Sequence, residues 1–319
     1  MHDLIIIGGG PAAVSAAIYA ARHRLDTLLA APETGGQVAE SWLVENYLGF
    51  PSISGVELAQ RFEEHLSHYE AVRRVEERAE QVARNGEGFR VALESGQWVE
   101  GKAVIVATGR YPRRLGIPGE AEFLHRGVTY CATCDAPLFA DEDVAVIGGG
   151  DAALQAAAQL VPIAGKVYLV SRRPWRAEPA LQARAAGASN LEALVGYVPL
   201  EIRGTERVES LAIEAREDHA GQELAVTGVF VEIGAVPDSK LVEGLTALNA
   251  AGEILVDRLG RTRIPGLFAA GDVTDAPYKQ AIMAAGDGAK AAMAAWEYLL
   301  GVPAPPSEVE GLRRSGAMR

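Results

Sequence analysis

The chain has 319 residues, 49% of them hydrophobic and 23% charged, values typical of a globular protein with one large domain or two ordinary ones. Its net charge of −12 argues against a nucleic-acid partner, because phosphate binding requires clustered positive charge. No apolar run approaches the ~20 residues of a membrane helix. The apolar run in MHDLIIIGGG is also too short for a signal peptide, so we expect a cytoplasmic protein with no membrane segment.

The first predicted unit is a buried strand, a glycine turn and an Ala-rich helix in residues 3–22, DLIIIGGGPAAVSAAIYAAR. It contains Gly-x-Gly-x-x-Ala, formed by Gly8, Gly10 and Ala13. In dinucleotide-binding folds the first glycine makes a tight turn and the second lets the backbone approach a pyrophosphate. The third small residue lets the helix pack on the strand. The helix N-terminus then favours the anion, so the pattern predicts a dinucleotide site.

The segment that follows this helix departs from the usual pattern. About 20 residues past the glycines, an acidic residue normally binds the adenosine ribose. Ala30 and Ala31 stand at that position, and Glu33 comes about two residues later. Further along, residues 56–70 have helix-forming composition, and the alternation in residues 89–109 predicts strands.

Both cysteines of the chain lie in one short segment, as Cys131 and Cys134, with Asp135 directly after them. In a reducing compartment such a pair is rarely a structural staple. A zinc site would need two more ligands, and the sequence has no second cysteine pair. The spacing lets a disulfide close and reopen without rebuilding the backbone, so we predict a redox pair; inert buried thiols are the alternative.

The glycine pattern then occurs a second time, in residues 143–161, DVAVIGGGDAALQAAAQLV. Gly148, Gly150 and Ala153 repeat the first motif, again between a strand pattern and an Ala-rich helix. One such glycine run is weak evidence, but two in the same context are improbable by chance. The sequence therefore predicts two dinucleotide-binding folds that hold two different dinucleotides.

The strand after the second motif, within VYLVSRRPWRAEP (167–179), predicts which dinucleotide binds there. No acid follows the strand; Ser171, Arg172, Arg173 and Arg176 do. Guanidinium groups suit the 2′-phosphate of NADPH through charge-assisted hydrogen bonds. We therefore expect NADPH rather than NADH, the alternative being a solvated basic turn.

The last predicted elements are a third block, residues 254–275, and an Ala-rich helix over residues 280–300. The tail, residues 301–319, is Pro-rich and then basic, and we expect it to fray.

Taken together, these residues resemble the low-molecular-weight, bacterial-type thioredoxin reductases. The match covers nearly the whole chain, in the family's order, and the Cys-Ala-Thr-Cys-Asp segment is its most specific part. The matching segments are GGGPAA (8–13), GGQ (35–37), VENYLGFP (44–51), VIVATG (104–109), GVTYCATCD (127–135), VIGGGDAA (146–153), SRRPWRAEP (171–179), GLFAAGDV (266–273) and YKQAIMAAGDGAKAA (278–292).

The resemblance implies an α/β fold of two Rossmann-like, three-layer ββα domains, with an NADPH domain inserted into an FAD domain. The FAD domain would comprise residues 1–113 and 241–319, and the NADPH domain residues 114–240 with the cysteines. It further implies FAD and NADPH as cofactors, thioredoxin as the partner, and a homodimer. The crossings near residues 111–118 and 235–242 would be hinges between two working states.

The same resemblance assigns candidate cofactor-binding residues. In the FAD domain they are Gly8, Gly10, Pro11, Ala12, Ala13, Glu33, Gly36, Gln37, Asn46, Ala107, Thr108, Gly109, Gly271, Asp272, Lys279, Gln280 and Ala281. In the NADPH domain they are Gly148, Gly150, Asp151, Ala152, Arg172, Arg173 and Arg176.

The resemblance also implies catalytic roles. Cys134 would face the flavin, Cys131 would attack the partner's disulfide, and Asp135 would carry protons as general acid or base. The chain departs from the family at Ala136 and Pro137, where a glycine is common, and at Lys279, which replaces an arginine. Three alternative functions therefore stay open: reduction of a different disulfide acceptor, use of a different electron donor, and a flavin redox sensor without turnover. The arginines argue against ferredoxin as the electron donor.

Overall fold

The computed structural model describes residues 1–41 and 43–303. Most of the tail for which fraying is expected lies outside these residues. The described chain forms two compact units. Unit 1 comprises Met1–Tyr111 and the described residues from Val236 onward, and unit 2 comprises Pro112–Ala235.

The helices and strands follow the predicted order. The helices are α1 (Pro11–Arg22), α2 (Gly55–Ser67), α3 (Ala132–Asp135), α4 (Asp151–Leu160), α5 (Pro179–Ala186) and α6 (Ala281–Leu299). The strands are β1 (His2–Ile7), β2 (Thr27–Ala30), β3 (Val72–Val75), β4 (Ala79–Asn85), β5 (Gly88–Leu93), β6 (Trp98–Val106), β7 (Arg110–Pro112), β8 (Val128–Thr129), β9 (Asp143–Ile147), β10 (Lys166–Ser171), β11 (Leu191–Val195), β12 (Tyr197–Gly204), β13 (Val208–Ala215), β14 (Gly221–Ala225), β15 (Gly228–Val231), β16 (Ala235–Pro237) and β17 (Leu267–Ala269).

Unit 1 is built on a seven-stranded sheet in the order β3-β2-β1-β6-β5-β4, with β17 beside β6. The β-branched run of β1 makes it a central strand, parallel to β2 and β6. Side chains alternate between its two faces, so Leu4 and Ile6 pack with α1 and α6. Ile5 and Ile7 belong to a second core on the opposite face. The unit is therefore layered around the sheet.

Unit 2 has the same architecture on a smaller scale. Its parallel sheet has the order β11-β10-β9-β15-β8, and an antiparallel sheet β12-β13-β14 forms another layer. Val144 and Val146 of β9 pack with α4, while Ala145 and Ile147 pack with residues of the antiparallel sheet. This gives the three layers of the predicted ββα fold. The predicted α/β class is confirmed.

The chain passes between the two units twice, and the two crossings pair with each other. Strands β7 and β16 form a two-stranded sheet. The division between the units falls after Tyr111 and after Ala235, whereas the sequence predicts it after residues 113 and 240. The difference arises because Pro and Gly positions indicate a boundary only approximately, whereas the packing of the chain within each unit defines it.

Candidate active site and nucleotide sites

The two cysteines lie in a tight turn of unit 2 that follows β8. They form a disulfide with Cα atoms 5.3 Å apart. Cys131 precedes α3 in extended conformation, and its Sγ accepts a hydrogen bond from the Cys134 amide at 3.2 Å. When the bond is open, this N–H would favour negative charge on the Cys131 sulfur. The turn can therefore both close a disulfide and stabilise a thiolate.

Asp135 lies directly behind the disulfide and is largely shielded from water. Loss of hydration raises the pKa of this carboxyl above its ordinary value; the Thr129 hydroxyl and the charge of His125 oppose the rise. Thr129 Oγ1 donates to Asp135 Oδ2 and accepts from the Cys131 amide at 3.1 Å. The carboxyl is thus fixed next to the redox turn and retains a proton to higher pH than an exposed aspartate.

A second carboxylate, Glu120, anchors the backbone that enters unit 2. It is only 3% exposed. Its oxygens accept hydrogen bonds from the amides of Leu115 and Gly116, both at 2.7 Å, and from the Tyr130 hydroxyl at 2.8 Å. Because Tyr130 directly precedes Cys131, Glu120 ties this entering segment to the start of the redox turn.

In both glycine motifs, the first glycine is required by the fold and the second leaves space for a ligand. A Cβ on Gly8 would lie 2.2 Å from the Ala107 oxygen, and one on Gly148 would lie 2.3 Å from the Glu232 oxygen. Both residues also have positive φ, so the fold itself requires glycine there. A Cβ on Gly10 or Gly150 would meet nothing within 4 Å. The space over these second glycines is open at the start of α1 and α4, as a pyrophosphate requires.

In unit 1 the loop after β2 folds back over the first glycine motif. The Gly35 amide donates to the Gly9 carbonyl at 2.8 Å. A Cβ on Gly36 would lie 3.1 Å from the Gly10 Cα, and the Glu33 carbonyl lies against Gly9. Glu33 and Gly36, with Gln37 next along the chain, are therefore brought to the start of α1.

A cavity of about 490 Å³ lies beside Ala31, where the ribose-binding acid is missing. Its polar lining residues are Glu33, Thr34, Gln60, Glu63, Arg74 and Glu76. Arg74 donates to both oxygens of Glu63 and to Thr34 Oγ1. The cavity is large enough for part of a nucleoside, and its polar groups lie on residues other than the expected one.

The other predicted FAD contacts lie around the starts of α1 and α6. A Cβ on Gly271 would lie 3.0 Å from the Ala12 Cβ. Asp272 pairs with Arg110 at 3.3 Å. Burial raises the pKa of the Asp272 carboxyl, against the charges of Arg110 and Lys279. Arg110 was missed in the sequence because nothing local connects it to Asp272.

The start of α6 contacts the loop that carries Asn46. Asn46 Nδ2 donates to Gln280 Oε1 at 3.1 Å, and Gln280 immediately precedes Ala281, the first residue of α6. Lys279 Nζ donates to the Thr274 carbonyl and pairs with Glu253 at 3.3 Å. Lys279, which replaces the family's arginine, therefore already has a carbonyl and a carboxylate as partners.

Residues 107–109, which follow β6, also lie near the glycine motif of α1. The Ala107 amide bonds to Ile7, and Thr108 Oγ1 donates to the Asp238 carbonyl at 2.6 Å. Gly109 has positive φ, and its carbonyl accepts from the Asp238 amide. These residues fix the end of β6 beside the glycine motif of α1, while Pro11 occupies the first turn of that helix.

The predicted NADPH contacts surround the start of α4. Asp151 Oδ1, in the first turn, accepts from the Glu178 amide at 2.8 Å, and Ala152 follows it. The Arg176 amide bonds to the Gly149 carbonyl at 2.8 Å. Arg172 and Arg173 line an open cavity of about 340 Å³, and the Arg173 carbonyl lies 3.7 Å from where a Cβ on Gly149 would stand.

The fold and these sites define a protein that binds two dinucleotides and carries a redox-active disulfide. The family model for pyridine nucleotide-disulphide oxidoreductases matches residues 2–289, and the chain belongs to this family. Its cofactors are FAD and a nicotinamide dinucleotide. The open faces of Gly10 and Gly150 fit that assignment, one in each unit.

The relatives with similar sequences carry names that describe different reactions. The chain is 40% identical over 308 residues to the F component of alkyl hydroperoxide reductase from Pseudomonas aeruginosa, covering 95% of this chain and 59% of that protein. It is 40% identical over 299 residues to an NADH dehydrogenase of Bacillus subtilis, covering 93% and 58%. The chain thus spans somewhat under two thirds of the length of these relatives.

Solved structures match over full length. Thioredoxin reductase of Streptococcus pyogenes superposes with a TM-score of 0.89 at 38% identity, covering 94% of this chain and 99% of that one. Thioredoxin reductase of Giardia duodenalis gives 0.88 at 32% identity, covering 94% and 99%. The chain is similar to both, and the resemblance to bacterial-type thioredoxin reductases is confirmed.

Two further features bear on membranes and metals. None of the helices over residues 1–41 and 43–303 is long and apolar enough to span a membrane. Within the same residues, no group of three His, Cys, Asp or Glu side chains could hold a metal ion.

Proposed function

We propose that this protein is an NADPH-dependent disulfide reductase that passes electrons through FAD and the Cys131–Cys134 disulfide to oxidised thioredoxin. The observation that carries the proposal is the redox turn: a closed disulfide beside a half-buried carboxyl with a raised pKa. When bound, the two dinucleotides supply hydride acceptance and two-electron transfer, which cysteine side chains cannot perform alone. We further propose residues 1–111 and 236–319 as the FAD domain and residues 112–235 as the NADPH domain.

The proposed roles follow from the hydrogen bonds of the turn. The reduced Cys131 sulfur, next to the Cys134 amide, attacks the disulfide of the partner and forms a mixed disulfide. Cys134 then attacks Cys131, which releases the reduced partner and restores the starting disulfide. Asp135, held by Thr129, gives a proton to the leaving thiolate of the partner.

We propose the following residues as the FAD site, on the basis of the family resemblance and the contacts described above. Gly8–Ala13, Glu33, Gly36, Gln37 and the cavity beside Ala31 would hold the adenosine and pyrophosphate of FAD. Residues 107–109, Gly271, Asp272, Asn46 and residues 279–281 would hold its flavin half. We also propose a cytoplasmic homodimer, on the basis of the family alone.

The test is an anaerobic titration of the flavin-loaded protein with NADPH, followed by oxidised thioredoxin. We expect NADPH to bleach the flavin and thioredoxin to restore its colour. In Cys134→Ser, NADPH should still bleach the flavin but thioredoxin should not restore it. Thr133→Ser, in the same turn but with both sulfurs kept, should behave as wild type. Recovery in Cys134→Ser would contradict the proposed route.

A second candidate is reduction of another disulfide protein, in a peroxide-reducing system. The 40% identity to the F component of alkyl hydroperoxide reductase favours it. A panel of purified acceptors, each tested with NADPH and with NADH, separates the candidates. Turnover with a peroxidase partner, and none with thioredoxin, would select the second one.

A further inference from the structure

The cavity beside Arg172 and Arg173 contains a third guanidinium that no sequence pattern indicates. Arg216 lines it, 44 residues further along the chain. The remaining lining residues are Pro174, Gly196 and Glu217. Three of the six lining residues are therefore arginines, and one, Glu217, carries a carboxylate.

The backbone holds Arg216 in this position through two successive hydrogen bonds. The Gly196 amide donates to the Ser171 carbonyl at 2.7 Å, which ties the turn after β11 to the end of β10. The Arg216 amide donates to the Gly196 carbonyl at 2.8 Å. The end of β13 is thereby fixed beside the end of β10, where the arginine pair begins.

The side chain of Arg216 is also held in place, but its positive charge is not neutralised by a carboxylate of the described residues. Its Nη1 donates to the Arg172 carbonyl at 3.1 Å. In the described part of the chain, no carboxylate forms an ion pair with Arg172, Arg173 or Arg216. Three cations without a carboxylate ion-pair partner among the described residues therefore line one open cavity, which suits a doubly charged phosphate.

We propose that Arg216 is a specificity-determining residue that binds the 2′-phosphate of NADPH together with Arg172 and Arg173. The antiparallel sheet, and not only the dinucleotide fold, then contributes to the choice of nucleotide. This inference rests on the proposed function, because it presumes that the donor carries a 2′-phosphate.

The experiment measures equilibrium binding by calorimetry, with adenosine 2′,5′-bisphosphate and 5′-AMP as probes that differ only in the 2′-phosphate. The flavin-loaded full chain is compared with Arg216→Gln. We expect wild type to prefer the bisphosphate, and the variant to bind it about tenfold more weakly or worse. Binding of 5′-AMP should be unchanged.

Two further variants supply the controls. Arg207→Gln removes an exposed arginine of the same unit, whose guanidinium lies 3.8 Å from Glu142, and should leave both affinities unchanged. Arg216→Lys keeps the charge and should recover part of the loss. The loss in Arg216→Gln should also shrink below pH ~6, where the phosphate loses its second charge.

The outcomes separate the inference from the proposed function. If Arg172→Gln weakens bisphosphate binding while Arg216→Gln does not, the role of Arg216 is refuted and the NADPH donor stands. Equal weakening of both probes in Arg216→Gln refutes it as well. If wild type binds the two probes equally, the NADPH donor and this inference both fail.

Discussion

The buried carboxylate of Glu120 offers the sharpest test of the structure. Replacing it with alanine removes the acceptor of three hydrogen bonds, from the amides of Leu115 and Gly116 and from the Tyr130 hydroxyl. A hydrogen bond to a charged group contributes about 1.5–3 kcal/mol. The entering segment is partly exposed, so water can replace part of this loss. We therefore expect Glu120→Ala to lower the free energy of unfolding by roughly 3 kcal/mol.

Tyr130→Phe removes only one of the three bonds and should cost about 1.5 kcal/mol. Because Tyr130 and Glu120 are partners, the loss in the double variant should be smaller than the sum of the two single losses. Glu122→Ala is the matched control: it removes an exposed glutamate of the same segment and should change stability by at most about 0.5 kcal/mol.

The assay is urea unfolding of the flavin-loaded full chain, followed by circular dichroism. Hydrogen–deuterium exchange of the peptide that contains residues 115–116 supplies a local readout. In Glu120→Ala these amides should exchange much faster than in wild type. If Glu120→Ala were no less stable than Glu122→Ala, and exchange were unchanged, Glu120 would not anchor this segment.

Four further predictions concern two glycines, the acid and the core. Gly148→Ala should cost more than about 3 kcal/mol in urea unfolding, since its Cβ would overlap a backbone oxygen at positive φ. Gly150→Ala should instead fold normally and bind adenosine 2′,5′-bisphosphate at least about tenfold more weakly, measured by calorimetry; tight binding would contradict a pyrophosphate at that site. Because the pKa of Asp135 is raised, its contribution to stability is present below the ordinary value of 3.8 and is lost as the pH rises through its folded pKa. Asp135→Asn, which mimics the neutral acid, should therefore gain stability relative to wild type in urea unfolding as the pH rises above 3.8, and a constant difference would contradict this. Phe230→Ala should cost about 3–5 kcal/mol in the same assay, because that ring is fully buried against Phe139, and a loss below about 1 kcal/mol would contradict the packing.

Much of the fold could be predicted from the sequence because its determinants are local. Strand periodicity followed by a glycine turn and an alanine-rich run predicts β1 with α1 and β9 with α4, and both predictions are confirmed. The helix predicted over residues 280–300 is observed as α6, shorter by one residue at each end. The helix predicted over residues 56–70 is observed as α2, Gly55–Ser67.

The site could be predicted only in part. Only two residues separate the cysteines in the sequence, so their closure follows from this spacing, and the structure confirms the disulfide. The acid missing at Ala30 and Ala31 could be noticed in the sequence. The polar cavity beside Ala31, with Glu63 and Arg74, could not.

The sequence by itself determined the features that depend on neighbouring residues along the chain, which are the glycine turns, the helix starts and the redox turn. Only the tertiary structure decided which distant residues meet, as in Arg110 with Asp272 and Arg216 with the Arg172 carbonyl at the cavity. The physical reason is that sheet order and strand register bring these residues together. Both are set by the packing of whole layers, and no short segment carries that information.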